Sequence, residues 1–153
     1  MIIECLIGIA VFTPQFLSEY KTCQWYQEAA EITQPYHHAF DLYLEEEDYI
    51  WAIATTFCES SGRQYAVSSA GAKGIWQYLD KTTNWLSEKL NENFNPYSPY
   101  DSSYMTAWLL RNDINPKRHW QPSEHCWNKN LPKYLKKIWL DYYLILSKKK
   151  YTL

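Results

Sequence analysis

Cys58-Glu59-Ser60-Ser61-Gly62, followed by Val67-Ser68-Ser69-Ala70-Gly71-Ala72-Lys73-Gly74-Ile75-Trp76-Gln77, is the stretch on which the reading of this chain turns. Upstream of it, from Glu45 to Cys58, the apolar residues Ile50, Ile53, Ala54 and Phe57 recur at helical spacing. Glu45, Glu46, Glu47 and Asp48 suit the positive N-terminal end of such a helix. The pattern predicts a helix that runs straight into Glu59. Ser60 to Gly74 then holds Gly62, Gly71 and Gly74, three of the four glycines in the chain, and reads as a loop or small hairpin with special backbone geometry. A carboxylic acid therefore stands where an apolar helix meets a glycine loop. Burial and aromatic neighbours at such a junction raise a carboxyl pKa, which is what a general acid requires.

Working outward, the chain reads as mainly α. Gly74 to Leu90 is expected to be helical, with Asp80 in its first turns and Asn91, Asn93 and Pro96 announcing its end. Asn95 to Asp101 is turn-forming, and Asp101 or Ser102 is expected to cap a helix that carries Tyr104, Ala107, Trp108 and Arg111 and runs through Leu110. Trp85 and Trp108 fall at helical-core spacing, and Tyr104 reads as core packing. Asn112 to Asn130 is expected to be irregular. A final helix from about Pro132 to Ser147 places Leu135, Ile138, Tyr142 and Ile145 on one face and ends in the solvated run Lys148 to Lys150.

The 153 residues fit one domain, 1–153, with 46% hydrophobic and 21% charged residues arguing for a folded chain. The 8 Trp and 14 Tyr supply flat faces for sugar rings or bases. A net charge of -2 gives no basic field for phosphates, so nucleic-acid binding is disfavoured. Residues 1–20 are read either as a buried first element or as an atypical export segment. The apolar run Ile2 to Phe12 lacks a basic start and a small-residue cleavage site, and it is too short to span a bilayer. Cys5, Cys23, Cys58 and Cys126 contain no CxxC pair and are able to form two disulfides in an oxidising compartment. His119 and His125 have poor zinc spacing, so no metal and no cofactor is expected.

The quoted stretch, within residues 51–83, resembles the lytic transglycosylase domain of the soluble type: a Glu-Ser pair, then Ser, then Gly-Ala-x-Gly and apolar residues before Gln. The resemblance implies a mainly α, lysozyme-like fold with the glycine loop beside the active site. It makes Glu59 the catalytic acid/base, Ser68 a hydroxyl near its carboxyl, and Gln77 a hydrogen-bonding group for substrate. The plainer alternatives are that Ser68 closes a turn and Gln77 satisfies backbone. Trp76 is placed to stack on a sugar. The Ala-Tyr-Asn-Ala-Gly segment that usually follows is missing, so no catalytic Tyr is assigned, while Tyr134 to Ile138 looks like the closing helix of these domains. The Cys before Glu59 is similar to resuscitation-promoting factors and some phage lysozyme-like domains. That likeness implies a bond between Cys58 and Cys126, near Trp120 and Trp127.

The activity so implied is cleavage of peptidoglycan glycan strands between N-acetylmuramic acid and N-acetylglucosamine, with formation of 1,6-anhydromuramyl ends. A hydrolytic muramidase would need a second carboxylate, for which Asp80, Asp101 and Asp113 are available and each has an ordinary capping or turn role. A silent glycan-binding module or a component of a phage or secretion machine is the third reading. Such proteins work in the periplasm, in the cell wall or on the virion.

Overall fold

The computed structural model describes residues 14–129 together with Lys133, Lys136, Lys137 and Leu140. Ile2 to Phe12, and all but those four positions of the expected final helix, lie outside the described residues; the four are helical. Six α-helices are described: α1 (Pro14–Thr33), α2 (His37–Tyr43), α3 (Tyr49–Ser60), α4 (Asp80–Leu90), α5 (Pro99–Asn112) and α6 (Glu124–Trp127). The fold is mainly α, as expected, and isolated bridges at Val67–Lys73 and Lys73–Tyr78 are the β pairings among the described residues.

The sequence reading named no helix over α1, whose apolar and polar residues are nearly equal in number. Its stripe Cys23, Tyr26, Ala29 and Thr33 is buried and recurs every three or four residues, the spacing of one helical face. That face packs on α3, and the helix gives way at Gln34-Pro35-Tyr36 to a short 3-10 turn. Around α3, burial is nearly continuous from Trp51 to Thr56, because α1 lies on one side and α6 on another. Two of the hydroxyls enclosed there bond back within the helix, while that of Thr55 is buried without a hydrogen-bond partner. Thr56 donates to the Ala52 carbonyl at 2.8 Å and Ser60 to that of Thr56 at 2.9 Å.

Three sequence expectations need correction. The helix expected from Gly74 begins instead at Asp80, because Lys73 and Tyr78 exchange both backbone hydrogen bonds (2.9 and 3.0 Å) and Gln77 is left-handed at φ 53°. The cap of α5 is Ser98, whose hydroxyl accepts from Asp101 N at 3.2 Å; the Asp101 carboxylate instead accepts from Asn95 N at 2.9 Å. The segment 112–130 is not wholly irregular, since Pro116–Ser123 is 3-10 helical with a break at Trp120 (φ -114°, ψ 15°) and α6 follows.

Side chains assigned to the core by spacing also differ. Trp85 is 44% exposed, for α4 turns Thr83 and Leu86 inward; it meets Trp108 edge-on at 6.0 Å under the Lys89 ammonium. Tyr104 is 40% exposed and packs on Tyr43 and Phe94 at the surface.

The loop after α3 is pinned on both flanks. Tyr36 Oη donates to the Gly62 carbonyl at 2.6 Å, and Gln64 Nε2 donates to the Tyr97 carbonyl at 3.2 Å. Gly74 has φ 79°, and any Cβ there would overlap the Pro96 carbonyl oxygen. Gly74→Ala is therefore expected to lower the unfolding free energy by at least about 2 kcal/mol, from positive φ and from displacement of rigid backbone. Urea denaturation checks it.

Candidate active site

Four indoles build the floor of the site. Trp51, Trp76, Trp120 and Trp127 are buried, with ring centroids 5.2 to 6.3 Å apart from Trp51 to each of the other three. Edge-on and tilted contacts of this kind suit the ring quadrupole. Each of three indole N–H groups is also directed: Trp76 Nε1 to Ser103 Oγ (3.2 Å), Trp120 Nε1 to the Trp76 carbonyl (2.9 Å), and Trp127 Nε1 to the Trp120 carbonyl (3.0 Å). The backbone at Trp120 is thereby tied to the glycine loop through the backbone of Trp76.

Glu59 lies in the last turn of α3, as the helix expected to run into it implies, two residues before Ser61 takes the left-handed cap conformation at φ 52°. It is half-buried, and Ser123 Oγ donates to its Oε1. The same hydroxyl lies 3.0 Å from the Trp120 carbonyl oxygen. Adjacent to Glu59, Cys58 is bonded to Cys126, with Cα atoms 5.9 Å apart across a separation of 68 residues. The disulfide thus joins the residue before the acid to the residue one turn beyond Ser123.

Burial raises the Glu59 pKa above the ordinary carboxyl value, because desolvation penalises the charged form, and donation from Ser123 pulls it partly back. The chemical capacity of the arrangement is that of a single acid held protonated to higher pH than a free glutamate. None of the three aspartates read as possible second carboxylates is hydrogen-bonded to it. Asp80 pairs with Lys73 at 2.6 Å, and Asp113 is held down by the Asn115 backbone N–H and then by His119. Asp101 serves the Asn95 backbone. Among the described residues no cluster of three or more His, Cys, Asp or Glu is arranged to hold a metal.

The other residues singled out in the sequence are engaged within the fold. Trp76 is fully buried, so it has no face open for sugar stacking; its place in the indole floor takes that face away. Ser68 closes the loop, its Oγ accepting from Ala72 N at 3.0 Å. Gln77 Nε2 donates to the carbonyls of Gly74 (2.8 Å) and Ala66 (3.2 Å). The plainer alternative for each is therefore what the geometry contains. Ser123 was missed. Its only signal in the sequence is its position three residues before Cys126.

A desolvated glutamic acid thus stands at the end of a core helix, beside a loop closed by its own side chains, in a mainly α domain. Residues 38–122, more than half of the chain, match the model of the Transglycosylase SLT domain, and the chain belongs to that family. It is thus a lytic transglycosylase-type domain, for which peptidoglycan is the family substrate. No curated protein and no solved structure matches the chain.

The raised Glu59 pKa has a thermodynamic sign. Between the ordinary carboxyl pKa and the raised one, the folded state holds a proton that the unfolded state has released. Stability therefore falls as pH rises through that window and stays lowered above it. Glu59→Gln, which preserves shape and an acceptor for Ser123, is expected to melt with the parent at pH values below the ordinary carboxyl range and above it at neutral pH. Melting curves across pH check the divergence.

Proposed function

We propose that this chain cleaves the β-1,4 bond between N-acetylmuramic acid and N-acetylglucosamine without water, leaving 1,6-anhydromuramyl ends. The observation that supports this reading best is that Glu59 is desolvated and faced by a neutral hydroxyl, with Asp80, Asp101 and Asp113 each committed to a partner of its own. Protonated Glu59 gives its proton to the leaving oxygen. As carboxylate it then takes the proton from the muramyl 6-hydroxyl, which attacks the anomeric carbon and closes the anhydro ring. The nucleophile belongs to the substrate and is already held near the reacting carbon, so no second carboxylate is required.

On the substrate side, the amide oxygen of Gln77 is the atom we assign to an N-acetyl group, since its nitrogen is already used in the loop. Ser68 acts by holding the loop that presents it. Tyr65, 75% exposed on this loop and 6.0 Å from the Tyr97 ring, offers the stacking face that buried Trp76 does not. The Cys58–Cys126 bond favours work in an oxidising compartment, hence the periplasm, the cell wall or a virion, where a phage or secretion assembly would carry such a domain. Among the described residues no helix is long and apolar enough to cross a membrane.

Mass analysis of muropeptides from digested cell walls tests the chemistry: products lighter by one water than the hydrolytic ones are expected, and reducing ends would identify a muramidase. Glu59→Gln should lower turnover by at least about 100-fold, the usual contribution of proton transfer. Full activity of that variant would remove Glu59 from the mechanism.

A further inference from the structure

Ser123 occupies a position whose ordinary use it forgoes. It is the N-cap residue of α6, where a serine hydroxyl normally accepts from a backbone N–H of the first turn, yet it makes no capping bond. The hydroxyl is turned instead toward Glu59 Oε1, with the Trp120 carbonyl 3.0 Å away as its other acceptor. That carbonyl already receives the Trp127 indole N–H at 3.0 Å. A hydroxyl has one proton, and a charged acceptor binds it about twice as strongly as a neutral one. With Glu59 ionised, the proton of Ser123 therefore goes to Oε1, and the Trp120 carbonyl keeps the donor it has from Trp127.

We infer that Ser123 is a positioning residue that divides the labour of the two Glu59 oxygens, anchoring Oε1 so that Oε2 carries the proton to and from the substrate. An oxygen that accepts a hydrogen bond is the less basic of the pair, so the carboxyl proton resides on the other one. The anchor is strongest with Glu59 ionised, and when Oε2 bears the proton Oε1 still offers Ser123 an acceptor while the Trp120 carbonyl is engaged by Trp127. The Cys58–Cys126 bond keeps the two partners in register. The family match ends at residue 122, immediately before Ser123, so this part of the site belongs to the segment outside the match.

Among the described residues no charged neighbour competes for the role. The charged or titratable residues on the elements packed against α3 are, besides tyrosines, Glu19, Lys21, Glu28 and Glu31 of α1, Glu46, Glu47 and Asp48 in the turn before α3, Lys117, Arg118 and His119 before α6, and Glu124 and His125 of α6; Arg63 stands on the loop. None of them contributes to the Glu59 shift, whose causes are burial and Ser123.

The inference rests on the assignment of Glu59 as acid/base, and one experiment separates the two. The Glu59 carboxyl is titrated by carbon NMR without substrate in the full chain, with its disulfides intact, for the parent, Ser123→Ala and Ser123→Thr, and kcat and KM on purified peptidoglycan are followed across pH. In Ser123→Ala the carboxylate loses its donor, so the Glu59 midpoint rises, the alkaline limb of kcat moves to higher pH, and kcat falls about 10- to 100-fold with KM little changed. Ser123→Thr, which keeps the hydroxyl, restores the midpoint and most of kcat. A Glu59 midpoint unmoved in Ser123→Ala, or loss of activity that Ser123→Thr does not rescue, overturns the inference. Full activity in Glu59→Gln would instead overturn the acid/base assignment, whatever the titration shows.

Discussion

Trp120 is the residue through which the segment facing Glu59 is hung on the core. Its indole donates to the Trp76 carbonyl, and its own carbonyl accepts from Trp127, so one buried residue links the glycine loop to α6. Trp120 sits where the 3-10 segment breaks, with φ and ψ outside the helical range. The break lets the indole enter the core while the chain turns back toward Glu59. Without those two hydrogen bonds, the buried polar groups would be left unsatisfied at a cost of about 1 to 3 kcal/mol each. The same constraint that closes the core delivers Ser123 to the acid.

The disulfide and the acid pull stability in opposite directions. Desolvation of Glu59 makes its ionised form unfavourable in the folded chain. In the chain-entropy account, a crosslink across 68 residues stabilises by about 4 kcal/mol, chiefly by restricting the unfolded ensemble. That stabilisation acts through the unfolded chain, so it offsets the cost of the buried acid in the global balance rather than at the site itself. Strain at a functional site sustained by structure around it is a general arrangement.

The helical class and the place of Glu59 were legible because an apolar period of one helical turn and a cluster of glycines are local signals. Cap geometry and helix starts were less so. Gly74 to Tyr78 was read as the start of a helix, but the Lys73–Tyr78 backbone pairing closes it into a turn, and the close approach of Gly74 to Pro96 is set by a residue further along the chain. Trp76 illustrates the same limit from the other side. Its spacing beside Gln77 fitted a sugar platform, whereas its burial depends on Phe40, Trp51 and Trp120 converging from three other segments. The pairing of Cys58 with Cys126 came from resemblance, not spacing, and Ser123 was invisible because nothing in its own neighbourhood marks a hydroxyl that leaves its cap.

The indole floor also gives the site an optical voice. Trp76, Trp120 and Trp127 each meet the ring of Trp51 in a fixed orientation, and all four are buried from water. Transition dipoles so close and so ordered couple to one another, and their combined near-ultraviolet dichroism belongs to the packed arrangement rather than to any single ring. Because the carbonyl of Trp120 is shared by the hydroxyl that faces Glu59, ionisation of the acid changes the electric field on rings only a few bonds away. The chromophores packed behind Glu59 thus stand where its charge is felt, without a label or a substrate.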